Sequence, residues 1–242
     1  MKVERIAYPM GALTAEGALV YDETISAKRP ALLVAPNWMG MTDAAIERGR
    51  LMAGDRYVVF VADMYGRGTR PADFGEAAKL ANPLRENAAE QRKRIRAAYD
   101  AMIAEASKRD LIDGRRAAVG FCFGGGNVLE LARDGADIAA AVSIHGDLKT
   151  ARAADKGAVK AKLLVAHGAP DPVTPKADRD AFEGEMDAAG AKWQMLVFSG
   201  VLHAYTDQGS DVPGIAAWDE PACRMTYAAT HQFIADAFAG RL

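Results

Sequence analysis

Gly120-Phe121-Cys122-Phe123-Gly124-Gly125-Gly126 is the stretch on which the reading of this sequence turns. The residues before it, Arg116–Phe121, read as a strand, and those after it, Phe123–Arg133, as a helix. Between them lies the pattern Gly-x-Cys-x-Gly, which lifts a nucleophilic side chain onto a sharp, strained turn above the end of a sheet. Glycines two positions either side let strand and helix approach without a Cβ between them. The helix starting at Phe123 would turn its free N–H groups and positive dipole end toward the sulfur, which favours thiolate. Gly-rich strand-to-helix turns also cradle phosphates, but such a loop continues with Lys and then Ser or Thr, where this chain has Asn127 and Val128. A small buried hydrophobe is the plain alternative for a free cysteine, and it leaves the flanking glycines unexplained.

Outward from that stretch, short β-rich runs alternate with helical ones. Val3–Tyr8 and Ala18–Tyr21 read as early strands. Ala31–Ala35 and Tyr57–Ala62 are continuous apolar runs, as expected of strands buried on both faces. Between those two runs Thr42 or Asp43 caps a helix running to about Ala53. Residues 67–82, rich in Gly, Pro and charge, read as a loop with at most a short helix. Residues 86–106 show helical periodicity, with Ala, Ile and Met on one face and Arg, Lys and Glu on the other. Three further strands are expected over Ile138–Ile144, Ala161–His167 and Trp193–Phe198, and helices over Pro175–Ala189 and Glu220–Ala239. The alternation predicts an α/β fold with a mostly parallel central sheet and helices on both faces. No repeat or linker divides the chain, so a single domain over residues 1–242 is expected.

An acid and a base follow Cys122 in the order this arrangement requires. Asp171 lies in His167-Gly168-Ala169-Pro170-Asp171-Pro172, just past one strand, and His203 lies in Gly200-Val201-Leu202-His203-Ala204-Tyr205, just past another. All three candidates therefore fall at the carboxyl edge of the sheet, where open α/β sheets build their sites. Each alone has a plain reading, Asp171 before proline as a turn former and His203 as a solvated loop residue. The ordered set is what points to catalysis. Of the other histidines, His231 falls inside the last helix and His167 is expected to shape the Asp171 loop. His145 closes a strand on the same edge and is a candidate for the pocket wall. Trp38, Met39, Met64 and Tyr205 are candidates for an apolar lining.

Composition narrows the function classes. The 242 residues are 50% hydrophobic with a formal net charge of -2, which offers no field to attract nucleic acid. Two cysteines do not make a disulfide framework. The first residues, Met-Lys-Val-Glu-Arg-Ile, mix charges where a signal peptide needs an apolar run, and no run reaches the roughly 18–20 residues of a membrane span. A cytoplasmic protein is expected, a monomer or weak homodimer, with a small ester or lactone as its partner and neither nucleic acid nor membrane.

On these residues the sequence resembles the dienelactone hydrolase family of the α/β-hydrolase fold. The resemblance spans essentially the whole chain. It is carried most specifically by Gly120-Phe-Cys-Phe-Gly-Gly, the Asp171 loop, Gly200-x-x-His203-x-Tyr205 and Ala62-Asp63-Met64-Tyr65-Gly66-Arg67. It implies hydrolysis of esters or enol-lactones without metal or cofactor, with Cys122 as nucleophile and Asp171 and His203 as its partners. It further implies an oxyanion hole from the backbone N–H groups of Trp38 and Phe123, and Asn37, Tyr65, Arg67, His145 and Tyr205 around the substrate. Two positions depart from the family pattern. Asn37 stands where dienelactone cleavers carry a Glu that interacts with the resting thiol. Asp207 stands where a second substrate-binding arginine is expected, so a neutral or differently shaped ester is a better expected substrate than dienelactone.

Two other classes are weighed against this one. Class I glutamine amidotransferases also use an elbow cysteine, but their His is followed two positions later by Glu, and none of the four histidines here is. A redox-sensing or pseudo-enzyme thiol module would need an accessible, acidic Cys122 and no esterase turnover.

Overall fold

The computed structural model describes all residues, 1–242. In chain order the elements are β1 (Lys2–Met10), β2 (Leu13–Tyr21), β3 (Arg29–Ala35), α1 (Asp43–Ala53), β4 (Val58–Val61), α2 (Phe74–Arg85), α3 (Ala88–Lys108), β5 (Ile112–Phe121), α4 (Phe123–Arg133), β6 (Ala140–Ile144), β7 (Lys162–Gly168), α5 (Lys176–Ala189), β8 (Lys192–Phe198), β9 (Asp211–Val212), β10 (Ala216–Ala217) and α6 (Glu220–Phe238). Eight strands form one sheet in the order β1-β2-β4-β3-β5-β6-β7-β8, and β9 and β10 form a small hairpin of their own. β1 and β2 pair antiparallel, as do β2 and β4, and every pairing from β4 to β8 is parallel. This is the α/β-hydrolase fold.

The all-apolar strands are buried because helices cover both faces of the sheet. Successive side chains of a strand point to opposite faces, and β3 shows it. Leu33 packs into one core with Ile95 of α3, Val128 of α4 and Phe182 of α5, whereas Leu32 and Val34 pack into another with Ile46 of α1 and Phe233 of α6. Burying a side chain of this size stabilises by about 1.5–3 kcal/mol, so the two cores fix which helix sits over which strand. The cap expected at Thr42 is present, its hydroxyl accepting from the Ala45 N–H at 3.2 Å.

One expectation is corrected. Residues 67–82 are not mainly loop, because α2 fills Phe74–Arg85 behind an Asp73 cap that accepts from the Glu76 N–H at 2.8 Å. Pro83 falls inside this helix. Its ring and the nearby glycine obscure the pattern in sequence, while Ala77, Ala81 and Leu84 bury the inner face. No helix is long and apolar enough to cross a membrane.

Candidate active site

β5 ends at Phe121 and α4 begins at Phe123, so the whole reversal rests on Cys122, whose φ of 53° is in the left-handed region. A non-glycine residue takes that conformation only where its surroundings impose it. Here the imposition comes from two glycines. A Cβ on Gly120 would sit 1.9 Å from the Gly124 carbonyl oxygen, and one on Gly124 would sit 2.0 Å from the Ala35 carbonyl oxygen at the end of β3. Only bare backbone allows α4 to cross so close to β5 and β3, and that crossing presents the Cys122 side chain at the sheet edge.

The other two candidates arrive on loops after β7 and β8. Asp171 is locked by its own turn, with Oδ1 accepting from the Val173 N–H at 2.8 Å and the Thr174 N–H at 3.2 Å. Its Oδ2 meets His203 Nδ1 at 2.8 Å, and His203 Nε2 lies 3.2 Å from Cys122 Sγ. The three side chains, 81 residues apart at the widest, thus form one hydrogen-bonded line, and all are buried. Burial alone would raise the Asp171 carboxyl, but the His203 hydrogen bond and charge hold it below the usual carboxylate range. Burial likewise opposes a charged imidazole, yet the bonds to Asp171 and Cys122 overcome it and push His203 up to about 10.

The amides of Trp38 and Phe123 donate to no backbone or side-chain acceptor. Trp38 is held in place by Tyr65, whose hydroxyl donates to the Trp38 carbonyl at 2.9 Å and whose ring stacks on Phe123 at 5.9 Å. Asp63 fixes that tyrosine in turn, its Oδ1 accepting from the N–H groups of Tyr65 and Gly66. A cavity of about 620 Å³, lined by Trp38, Arg85, Asp147, Lys149, Val173 and Thr174 among others, opens beside this line of residues. Its wall is tied to them directly, since the Asp147 N–H donates to the Cys122 carbonyl and the Thr174 N–H to Asp171.

Four residues expected around the substrate are placed otherwise. Arg67 is 63% exposed, and its Nε pairs with Glu16 of β2 at 3.1 Å. Tyr205 is fully buried, its hydroxyl hydrogen-bonded to Thr226 of α6 at 2.9 Å, so it is part of the core beneath the site. His145, also fully buried, stacks edge-on against both His203 and Tyr205 and bonds Thr206 Oγ1 at 2.8 Å through Nε2. Asn37 turns its amide to Asp207 at 3.3 Å and lines a different cavity, of about 830 Å³, with Arg48 and Cys223. Asp207 itself is neutralised by Arg48 at 2.5 Å.

Sequence reasoning missed Arg85. It sits on the helix that was expected to be loop, with its guanidinium 5.3 Å over the Phe123 ring and its Nε 2.7 Å from Asp147. An arginine in the last turn of a helix carries no local sign of what it faces, so no signal in the sequence pointed to it.

A mostly parallel eight-stranded sheet, with a Cys-His-Asp line assembled from the ends of β5, β7 and β8, defines an α/β hydrolase that carries cysteine on its elbow. The chain belongs to the dienelactone hydrolase family, whose model matches residues 17–238. It is a hydrolase of the ester and lactone class. Among solved structures, a protein named m3DLH is 33% identical with a TM-score of 0.90, and 98% of each chain is covered. A dienelactone hydrolase-like promiscuous phosphotriesterase, P91 from metagenomic libraries, is 32% identical with a TM-score of 0.89 over 98% of both chains. A putative dienelactone hydrolase from Klebsiella pneumoniae shares the fold at 19% identity and a TM-score of 0.80, covering 97% of this chain and 98% of that one. No curated protein matches.

Proposed function

We propose that this protein hydrolyses uncharged carboxylic esters and lactones through a thioester on Cys122. The observation that carries this is His203, with one ring nitrogen 3.2 Å from Sγ and the other 2.8 Å from Asp171. His203 Nε2 takes the thiol proton, and Sγ attacks the ester carbonyl carbon. The carbonyl oxygen becomes an oxyanion facing the N–H groups of Trp38 and Phe123, where each preorganised donor is worth about 3–4 kcal/mol of barrier. As the tetrahedral adduct collapses, the C–O bond to the leaving group breaks and the His203 imidazolium passes its proton to that oxygen. Water then attacks the thioester while His203 takes a proton from it. The acid leaves and Sγ regains its proton.

The preference for uncharged substrates follows from charge balance. Arg67 is engaged by Glu16, Arg85 by Asp147 and Lys149 by Asp178, while Asp207 stands where a carboxylate would need a cation. No free cation therefore waits at the site for a substrate anion. Wild type is expected to turn over p-nitrophenyl acetate and neutral lactones, with kcat/KM at least about tenfold above that for a matched ester bearing a carboxylate, a gap of roughly 1.4 kcal/mol. Cys122→Ala should be folded and inactive. Because one relative is described as a promiscuous phosphotriesterase, a neutral aryl phosphotriester belongs in the same panel as a second substrate class. A well-folded wild type that cleaves none of these would instead favour Cys122 as a redox-sensing thiol.

A further inference from the structure

Beside the Cys122–His203–Asp171 line lies a buried titratable ring that the proposed chemistry leaves without a task. His167, near the end of β7, is fully buried, and neither of its ring nitrogens has a hydrogen-bond partner. Its Nδ1 stands 3.7 Å from Asp171 Oδ2, the same oxygen that His203 Nδ1 engages at 2.8 Å. A neutral imidazole carries one N–H, and leaving that donor unpaired in the interior forfeits the hydrogen bond it had in water. A lone pair on Nδ1 would face the carboxylate and be repelled, so the proton belongs on Nδ1.

The neighbouring groups do not supply Asp171 with a further charged donor. His145 spends Nε2 on Thr206, and the Arg179 guanidinium of α5 donates to the carbonyls of Gly168, Ala169 and Thr174. The Tyr205 hydroxyl is taken by Thr226, and Cys122 faces the far side of His203. The other acceptor near the His167 ring, the Gly146 carbonyl, accepts from Thr174 Oγ1 at 3.3 Å and keeps a second lone pair that a ring N–H can use. The repulsion between a bare Nδ1 and Asp171 Oδ2 is what sets the Nδ1 proton above that alternative.

We infer that His167 is a positioning residue whose Nδ1–H is a second, alternate donor to Asp171 Oδ2. When His203 is an imidazolium it holds that oxygen, and His167 stands off at the observed 3.7 Å. When His203 gives up its Nε2 proton, its own Nδ1–H bond weakens and His167 closes on the carboxylate. The neutral state of His203 is thereby stabilised, so the base releases its proton more readily than Asp171 alone would allow. Burial keeps His167 neutral, its pKa lowered to about 4, so it serves as a donor throughout the working range.

This inference rests on reading His203 as the base, and its test does not depend on turnover. Imidazole 15N NMR of the resting full-length protein should show His167 protonated on Nδ1. It should also show the His203 pKa moving upward in His167→Leu by on the order of one pH unit, with the alkaline limb of kcat/KM following. His167→Asn, whose amide can place an N–H where Nδ1–H was, should stay close to wild type. A wild-type His167 protonated on Nε2 would overturn the inference even if His167→Leu failed to fold. So would Leu and Asn variants that shift alike, which marks a packing role, or that leave His203 unmoved. Loss of the esterase reading would show separately, as a wild type without turnover whose His203 still titrates.

Discussion

Cys122 is held at φ 53° by backbone that has no room to relax, and its sulfur meets His203, and through it Asp171, two residues that arrive from later in the chain. At this scale Asp171→Asn is expected to leave the fold intact while lowering kcat/KM by about 10²–10⁴, the usual worth of a positioned acid–base partner. Steady-state kinetics beside circular dichroism would check it. The imidazoles also give stability a pH signature. The folded-state pKa of His203, about 10, lies above its unfolded value. Its contribution is therefore full below about pH 6.5 and lost as pH rises through 10. His145 and His167 behave oppositely, because burial holds both pKa values down, that of His167 to about 4. The unfolded chain binds protons that the folded one refuses, so stability should fall between pH 6.5 and 4 by up to about 1.4 kcal/mol per pH unit for each ring. Urea midpoints across pH 4–10 should show a dome, and His167→Asn should flatten its acid side. The meeting of Cys122, Asp171 and His203 was legible in the sequence because each pairs a chemical type with a place after a strand. Arg67 and Tyr205 misled because pairing with Glu16 and with Thr226 is tertiary, and nothing near either residue in the chain announces it.

Elements followed the sequence wherever period and cap agreed. α4 begins at Phe123 and ends at Arg133 as expected, and α1 begins behind Thr42. α2 was hidden by a proline in its last turn. The short β9–β10 hairpin was unforeseen, because two-residue strands have no period to read. The close packing of α4 on β5 and β3 makes a prediction at this scale. Gly124→Ala would put a Cβ 2.0 Å from the Ala35 carbonyl oxygen, where backbone rather than a flexible side chain must yield. It should cost about 1–3 kcal/mol or more and lower activity as well, because α4 carries the Phe123 amide. Gly184→Ala, on α5 with open space around it, is the control that should leave both unchanged. Thermal melts paired with esterase rates would separate the two.

Across the whole molecule, α3, α4 and α5 are tied by a buried chain of charge. Glu130 takes Arg92 at 2.7 Å and Arg133 at 2.9 Å, and Arg133 reaches on to Glu185 at 2.7 Å and to the Leu148 carbonyl. Leu148 lines the cavity beside Cys122, so the network fixes the pocket wall to the helices that cover the sheet. Glu130→Ala would strand two arginines and should destabilise by about 3–5 kcal/mol, read as a lowered urea midpoint. Composition could not reveal this, since charges at these positions look like ordinary solvated helix faces until the three helices are assembled. If Cys122 is the nucleophile, the whole protein must also pass through a covalent state, and mass spectrometry can weigh it. Rapid quenching during turnover of p-nitrophenyl acetate should show protein heavier by one acetyl group, mapped to the peptide bearing Cys122 and accumulating before steady state. Turnover that continues in Cys122→Ala, with no acetyl group on Cys122 in wild type, would contradict the thioester mechanism.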